Sequence, residues 1–215
     1  MRRYSAVLLD VDGTLVDSND AHAHAWVDAL AKYGHEVAFP RVRMLIGMGG
    51  DRLVETVTGL PRDGAKNKRI GAARSEIFRD RWLRAVRPLR GSRELVLRLR
   101  REGYQYAIAS AAKSEELAPL LEIADIADLV PTRTTSSDVH ESKPDPAIIE
   151  VARSKLHAER SRMVMLGDTP YDVRATRDAN VAMIGVTSGG WSAEALSGAV
   201  EIYSGPWEIA QFCSL

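Results

Sequence analysis

The chain has 215 residues, 45% hydrophobic and 27% charged, the balance of a globular protein with one core domain and room for a modest insertion. Basic and acidic residues cancel at 29 each, so no broad electrostatic pull toward nucleic acid or an anionic membrane is expected. A single cysteine, Cys213, excludes an intrachain disulfide and a cysteine-rich zinc site. The apolar run behind Met1-Arg2-Arg3 is too short for an export signal or a membrane span, and Asp10 and Asp12 cut it, so a cytoplasmic protein is expected.

In chain order, Ala6 to Leu9 is a short apolar run that ends in Asp10, Asp12 and Gly13, the pattern of a buried parallel strand. Ser18, Asn19 and Asp20 offer an N-cap for a helix carrying Ala25, Trp26, Ala29, Leu30 and Tyr33, and Gly34 stops it. A helical piece around Arg41 to Ile46, the loop Gly47-Met48-Gly49-Gly50, a helix from Asp51 to Thr58 and a long helix from Arg62 to about Val86 follow. From Arg87 helices and strands alternate. Helix is predicted over Ser92 to Arg101, strand over Tyr104 to Ser110, and a helix capped by Ser114 that holds Pro119. A short strand at Asp128 to Pro131, helix over Pro146 to Leu156 and strand over Met163 to Gly167 come next. Helix over Pro170 to Ala179 and strand over Val181 to Val186 follow. The end holds a helix near Ala193 to Leu196, an edge strand at Val200 to Tyr203 and a helix from Pro206. This alternation implies an α/β fold, a doubly wound Rossmann-like parallel sheet with an inserted α-helical cap. Residues 1–16 and 87–215 form the core domain in this reading, and 17–86 the cap.

Two carboxylates at i and i+2 on an extended chain point the same way. Bringing them close is costly unless a cation lies between them or one is protonated. A calcium loop would need further oxygen ligands at fixed steps, where Thr14, Leu15 and Val16 stand. Downstream, Ser110 ends a strand, Lys143 lies in Ser-Lys-Pro-Asp-Pro, and Gly167-Asp168-Thr169-Pro170-Tyr171-Asp172 joins a strand to a helix.

Asp10-Val11-Asp12-Gly13-Thr14-Leu15-Val16 resembles the first motif of the haloacid dehalogenase superfamily of phosphotransferases, and the three later segments resemble its other motifs, in order, over nearly the whole chain. The resemblance implies Asp10 as nucleophile and Asp12 as general acid and base. An aspartate at position 12 favours C–O–P over C–Cl or C–P chemistry. Ser110, with the amides of Ala111 and Ala112, and Lys143 would hold the transferring phosphoryl group. Asp10, Asp168 and the carbonyl of Asp12 would hold Mg²⁺, which suits hard oxygen ligands. Asp172 would hold a metal-bound water or a neighbouring group, or serve only as a first-turn helix acid.

The resemblance thus implies a Mg²⁺-dependent phosphatase for a small phosphorylated metabolite, closest to phosphoglycolate-phosphatase-like and β-phosphoglucomutase-like members. A sugar-phosphate mutase is one alternative, and a non-catalytic phosphometabolite-binding protein another. Cap residues His22, Gly47 and Arg52 are candidate substrate contacts. His22 and His24 are two apart on a helix, so they make a poor metal pair. Gly47-Met48-Gly49-Gly50 lacks the third glycine of a dinucleotide fingerprint and follows a helix. Monomer and homodimer both stay open.

Overall fold

The computed structural model describes residues 3–139 and 141–213. Met1 and Arg2, part of the run read for an export signal, lie outside the described residues. Strand β1 (Ala6–Leu9) is buried throughout. A short strand, β2 (Val16–Asp17), leads into α1 (Asn19–Lys32), α2 (Phe39–Arg43), α3 (Gly50–Thr58) and α4 (Ala65–Ile77). Strand β3 (Arg87–Pro88) returns antiparallel to β2, so a two-stranded ribbon carries both connections to the helical insert. This ribbon is new relative to the sequence reading, which placed no strand at Val16–Asp17 or Arg87–Pro88.

Beyond the ribbon come α5 (Ser92–Arg101), β4 (Gln105–Ala109), α6 (Ser114–Ile123), β5 (Arg133–Thr134) and α7 (Ala147–Leu156). Then follow β6 (Met163–Gly167), α8 (Pro170–Asp178), β7 (Ala182–Val186), β8 (Glu201–Tyr203) and α9 (Pro206–Phe212). The six strands form one sheet in the order β5-β4-β1-β6-β7-β8, all parallel. Alternation along the buried strands sorts side chains to two faces. Val7, Leu9, Val164 and Leu166 pack with Leu95, Leu99, Leu117 and Leu120 of α5 and α6. Ala6, Leu8, Met163 and Met165 pack with Ile148, Ile149, Ala152 and Ala175 of α7 and α8. Both faces are covered, which is the doubly wound α/β architecture. The insert has its own apolar cluster, including Trp26, Leu30, Val42, Leu53 and Ile70.

Several local expectations shift. The expected long helix from Arg62 starts at Ala65, after a turn in which Gly64 N–H donates to Pro61 O. Its end widens to π-helix over Phe78–Trp82 and tightens to 3₁₀ over Leu83–Ala85. That change stacks Phe78 on His22 and Trp82 on His24, with ring centroids 4.0 and 4.3 Å apart. The strand expected at Asp128 to Pro131 is a turn, and pairing begins at Arg133. The Arg133 guanidinium donates to the carbonyls of Ala127 and Val130, and Asp128 pairs with Arg93, which holds that turn. Ser114 does not cap α6; its hydroxyl meets Thr135 Oγ1 at 3.1 Å. Helix α6 runs through Pro119, the sixth of its ten residues, where the missing N–H leaves the Glu115 carbonyl without its i→i−4 bond. Among the described residues, no helix is long and apolar enough to cross a membrane.

Candidate active site

Strand β1 sits mid-sheet between β4 and β6, and the chain reverses its direction of winding there. Open parallel sheets bind ligands at the carboxyl ends of strands beside such a reversal. Asp10, Ser110 and Asp168 are each the first residue past β1, β4 and β6. Sheet register therefore delivers three of the four motifs to one place. The fourth arrives on the loop before α7. Lys143, only 2% exposed, sets its Nζ 3.0 Å from Asp10 Oδ1 and 2.8 Å from Asp172 Oδ1.

Three buried carboxylates, Asp10, Asp168 and Asp172, offer oxygens that all lie within 4.8 Å of one another. Burial pushes Asp10 up to about 7, helped by Asp172 and Asp12 and opposed by Lys143. Burial, then Asp172 and Asp10, drives Asp168 well above the ordinary carboxylate range. Burial works against the charge on Lys143, yet Asp10 and Asp172 hold it above its ordinary value. One ammonium thus faces three acids. The excess negative charge and hard oxygen donors suit a divalent cation. Asp168 is tightly seated: a Cβ on Gly13 or on Gly189 would collide with its carboxylate, and Gly13 has φ +72°.

Asp12 turns elsewhere, and its carboxylate is not in that triad. Its Oδ1 accepts from Ser18 Oγ at 2.5 Å and meets His22 Nε2 at 2.8 Å. Burial alone would raise Asp12, but His22, Ser18 and Arg74 together hold it below its ordinary value. Ser18 is therefore a partner of Asp12, and it makes no side-chain cap on α1. His22 touches Asp12 and Phe78 and is 6% exposed, which places it behind the acid rather than free on the surface.

Ser110 Oγ accepts from the N–H of Ala112 at 3.0 Å, so that amide is already used and is not a free anion donor as expected. Ala111 and Lys143 line a cavity of about 810 Å³ between insert and core. Trp26, Gly49, Gly50, Lys68 and Arg74 line it from the insert side. Asp172 faces two ways. Its Oδ2 accepts from the Thr169 backbone N–H and hydroxyl in a capping box on α8, while its Oδ1 faces Lys143.

Gly47 packs on Thr169, and Gly49 N–H donates to Lys143 O at 3.1 Å, so the glycine loop seats the insert on the core. Arg52 is spent on Glu141 at the cavity rim, 2.9 Å away, with Arg62 on the same carboxylate. Trp191 packs edge-on against Tyr171. Sequence reasoning missed a buried ion pair across the seam: Arg74 Nη1 of α4 lies 2.6 Å from Glu116 Oε2 of α6. It read Asn19 only as a capping candidate, yet the Asn19 amide donates to Asp168 Oδ2. Nothing in the spacing of Arg74 and Glu116, 42 residues apart, marks them as partners.

A sheet switch point with convergent buried acids and a buried lysine is suited to an anionic ligand and a divalent cation. Residues 7–186 match the haloacid dehalogenase-like hydrolase family, and the chain belongs to it. A phosphoglycolate phosphatase (plasmid) of Cupriavidus necator is 30% identical, over 82% of this chain and 78% of that protein. Pyrophosphatase PpaX of Bacillus velezensis is 28% identical, over 86% of this chain and 84% of that protein. A hydrolase of Pseudomonas syringae has a crystal structure that superposes with a TM-score of 0.89 at 25% identity, covering 95% of both chains. The enzyme class that follows is phosphatase.

Proposed function

We propose that this enzyme hydrolyses a small phosphorylated metabolite, a phosphate monoester, through an aspartyl-phosphate on Asp10, with Mg²⁺ as cofactor. The observation that carries the reading is Lys143 Nζ, held within 3.0 Å of Asp10 Oδ1 and 2.8 Å of Asp172 Oδ1 while Asp168 crowds the same point.

Asp10 and Asp168 would hold the metal, with the Asp12 carbonyl as a third ligand and Asp172 beside them. When bound, Mg²⁺ offsets the repulsion among the carboxylates and the phosphoryl oxygens. A carboxylate oxygen of Asp10 attacks phosphorus, and the bond from phosphorus to the leaving oxygen breaks. Asp12 gives that oxygen its proton. Asp12 then takes a proton from water as the water oxygen attacks phosphorus, and the bond to Asp10 breaks to release phosphate. Both described hydrogen bonds to the Asp12 side chain land on Oδ1, leaving Oδ2 for these transfers. Lys143 and the Ala111 backbone stabilise the phosphoryl oxygens. The helical insert, 17–86, acts as the cap that excludes bulk water and selects the leaving group. The mutase alternative calls for a basic cap residue free to hold a second phosphate; Arg52 is paired with Glu141 but Lys68 lines the cavity from the insert side, so phosphate release against isomerisation separates the two.

The test is release of inorganic phosphate from a panel of phosphorylated metabolites, with Mg²⁺ and with chelator. Asp10→Asn should abolish release while leaving the melting curve intact. Full turnover by that variant, or isomerisation of a sugar phosphate without release, would refute the reading.

A further inference from the structure

Asn19 is the first residue of α1, so it belongs to the insert, yet its side chain is buried against the core. Its Nδ2 donates to Asp168 Oδ2 at 2.9 Å and to the Gly189 carbonyl at 3.1 Å. The Gly189 carbonyl beside that nitrogen can only accept. Flipping the amide would set its oxygen against that carbonyl, so the Gly189 contact fixes the orientation. The Asn19 Oδ1 is buried and has no hydrogen-bond partner. A buried acceptor left unmet is costly, and a water held by a metal on Asp168 would meet it. The Gly189 carbonyl also accepts from Arg43 Nη2 of the insert, at 2.5 Å, but Arg43 does not reach Asp168.

We propose that Asn19 is a positioning residue for the metal site: its amide fixes the rotamer of Asp168, and so couples the seating of the first cap helix to metal affinity. The inference rests on the metal reading given above. Partners that orient a metal-binding carboxylate act on affinity without touching the metal. Because Asn19 opens α1, any shift of that helix away from the core breaks the bond to Asp168. Cap opening and metal release are then linked, and a bound metal favours the seated cap.

The experiment is calorimetric titration of Mg²⁺ into the metal-free full chain, with no substrate present. Asn19→Ala and Asn19→Leu should each weaken Mg²⁺ binding by about 10-fold or more. Arg43→Ala removes the second bond to Gly189 and the pair with Asp20 of α1 but spares the Asn19–Asp168 bond, and it should leave the affinity close to wild type. Unchanged affinity in the Asn19 variants would overturn the proposal. Equal weakening in Arg43→Ala would also overturn it, because cap seating alone would then account for the loss. Should neither Asn19 variant fold, the wild-type side-chain amide protons of Asn19 decide the matter by NMR. They should shift on Mg²⁺ addition, and resonances that stay put count against the role. Wild-type protein that takes up no Mg²⁺ would instead bring down the metal reading itself, and this inference with it.

Discussion

His22 Nε2 lies 2.8 Å from Asp12 Oδ1, behind the carboxylate proposed to handle the proton. The imidazole is itself stacked on Phe78, so its position is set by the π-helical end of the segment after α4. His22→Ala should leave Asp12 free to rotate and remove an interaction that favours its ionised form. Burial, no longer opposed by His22, would then lift Asp12. In the proposed mechanism Asp12 acts first as the acid, so its ionisation sets the alkaline limb of the kcat/KM profile. That limb should move to higher pH, and kcat should drop by about 10-fold or more, since positioned acid–base catalysis contributes roughly 10²–10⁴. A profile that keeps its alkaline limb would show that His22 does not tune Asp12.

Asp10 carries a pH dependence of opposite sign. Its folded-state value of about 7 lies above its ordinary 3.8, so the folded metal-free protein prefers Asp10 protonated. That contribution to stability is complete below 3.8 and disappears as pH rises through about 7. A cation that binds the ionised acids reverses the loss. Mg²⁺ should therefore raise the melting temperature more at pH 8 than at pH 5.5, by linkage to the folded state. Thermal melts with chelator and with Mg²⁺ at both pH values read this directly. A gain no larger at the higher pH would contradict the charge crowding inferred for the triad.

Arg74 and Glu116 tie the helical insert to the sheet layer through a buried pair, with Arg74 also over the Trp26 ring at 4.9 Å. Burial would raise Glu116, but Arg74, His22 and Ser75 hold its carboxyl below the ordinary value. Removing one partner leaves the other charged and buried. Glu116→Ala should lower stability by about 3–5 kcal/mol. Arg74 lines the cavity, so the same variant should also raise KM. Denaturant unfolding and steady-state kinetics test both. A loss under about 1 kcal/mol would mean the pair behaves like a solvent-screened surface pair.

The sheet was legible because its strands carry a simple signal. Met163–Gly167 and Ala6–Leu9 are continuous apolar runs closed by motif acids, as buried parallel strands demand. The same runs told where Asp10 and Asp168 would project. What stayed hidden depends on packing between distant segments. Ser18 and Asn19 have the chemistry of helix caps, and tertiary partners took their side chains instead, Asp12 in one case and Asp168 in the other. The break in the predicted long helix after Ile77 answers to the stacking of Phe78 and Trp82 on two histidines of α1, which no local propensity reports. Lys143 was placed by its motif, whereas its pairing with Asp172 needed the capping box that turns Asp172 inward.

Gly13 joins the first acid pair to the rest of the site, and its substitution separates fold from metal affinity. Its φ of +72° is a conformation that side chains with a Cβ rarely adopt. An added Cβ would meet the Asp168 carboxylate and the Asn19 amide together. Gly13→Ala should therefore cost about 1–3 kcal/mol of stability from backbone strain and displace Asp168. The cap's own cluster around Trp26, Leu53 and Ile70 does not include position 13 and should stay packed. The expected result is a lowered melting temperature, retained helical circular dichroism and Mg²⁺ affinity reduced by at least the loss seen for Asn19→Leu. If Gly13→Ala binds Mg²⁺ as wild type does, Asp168 tolerates displacement, and the tight seating between Gly13 and Gly189 is not what shapes the metal site.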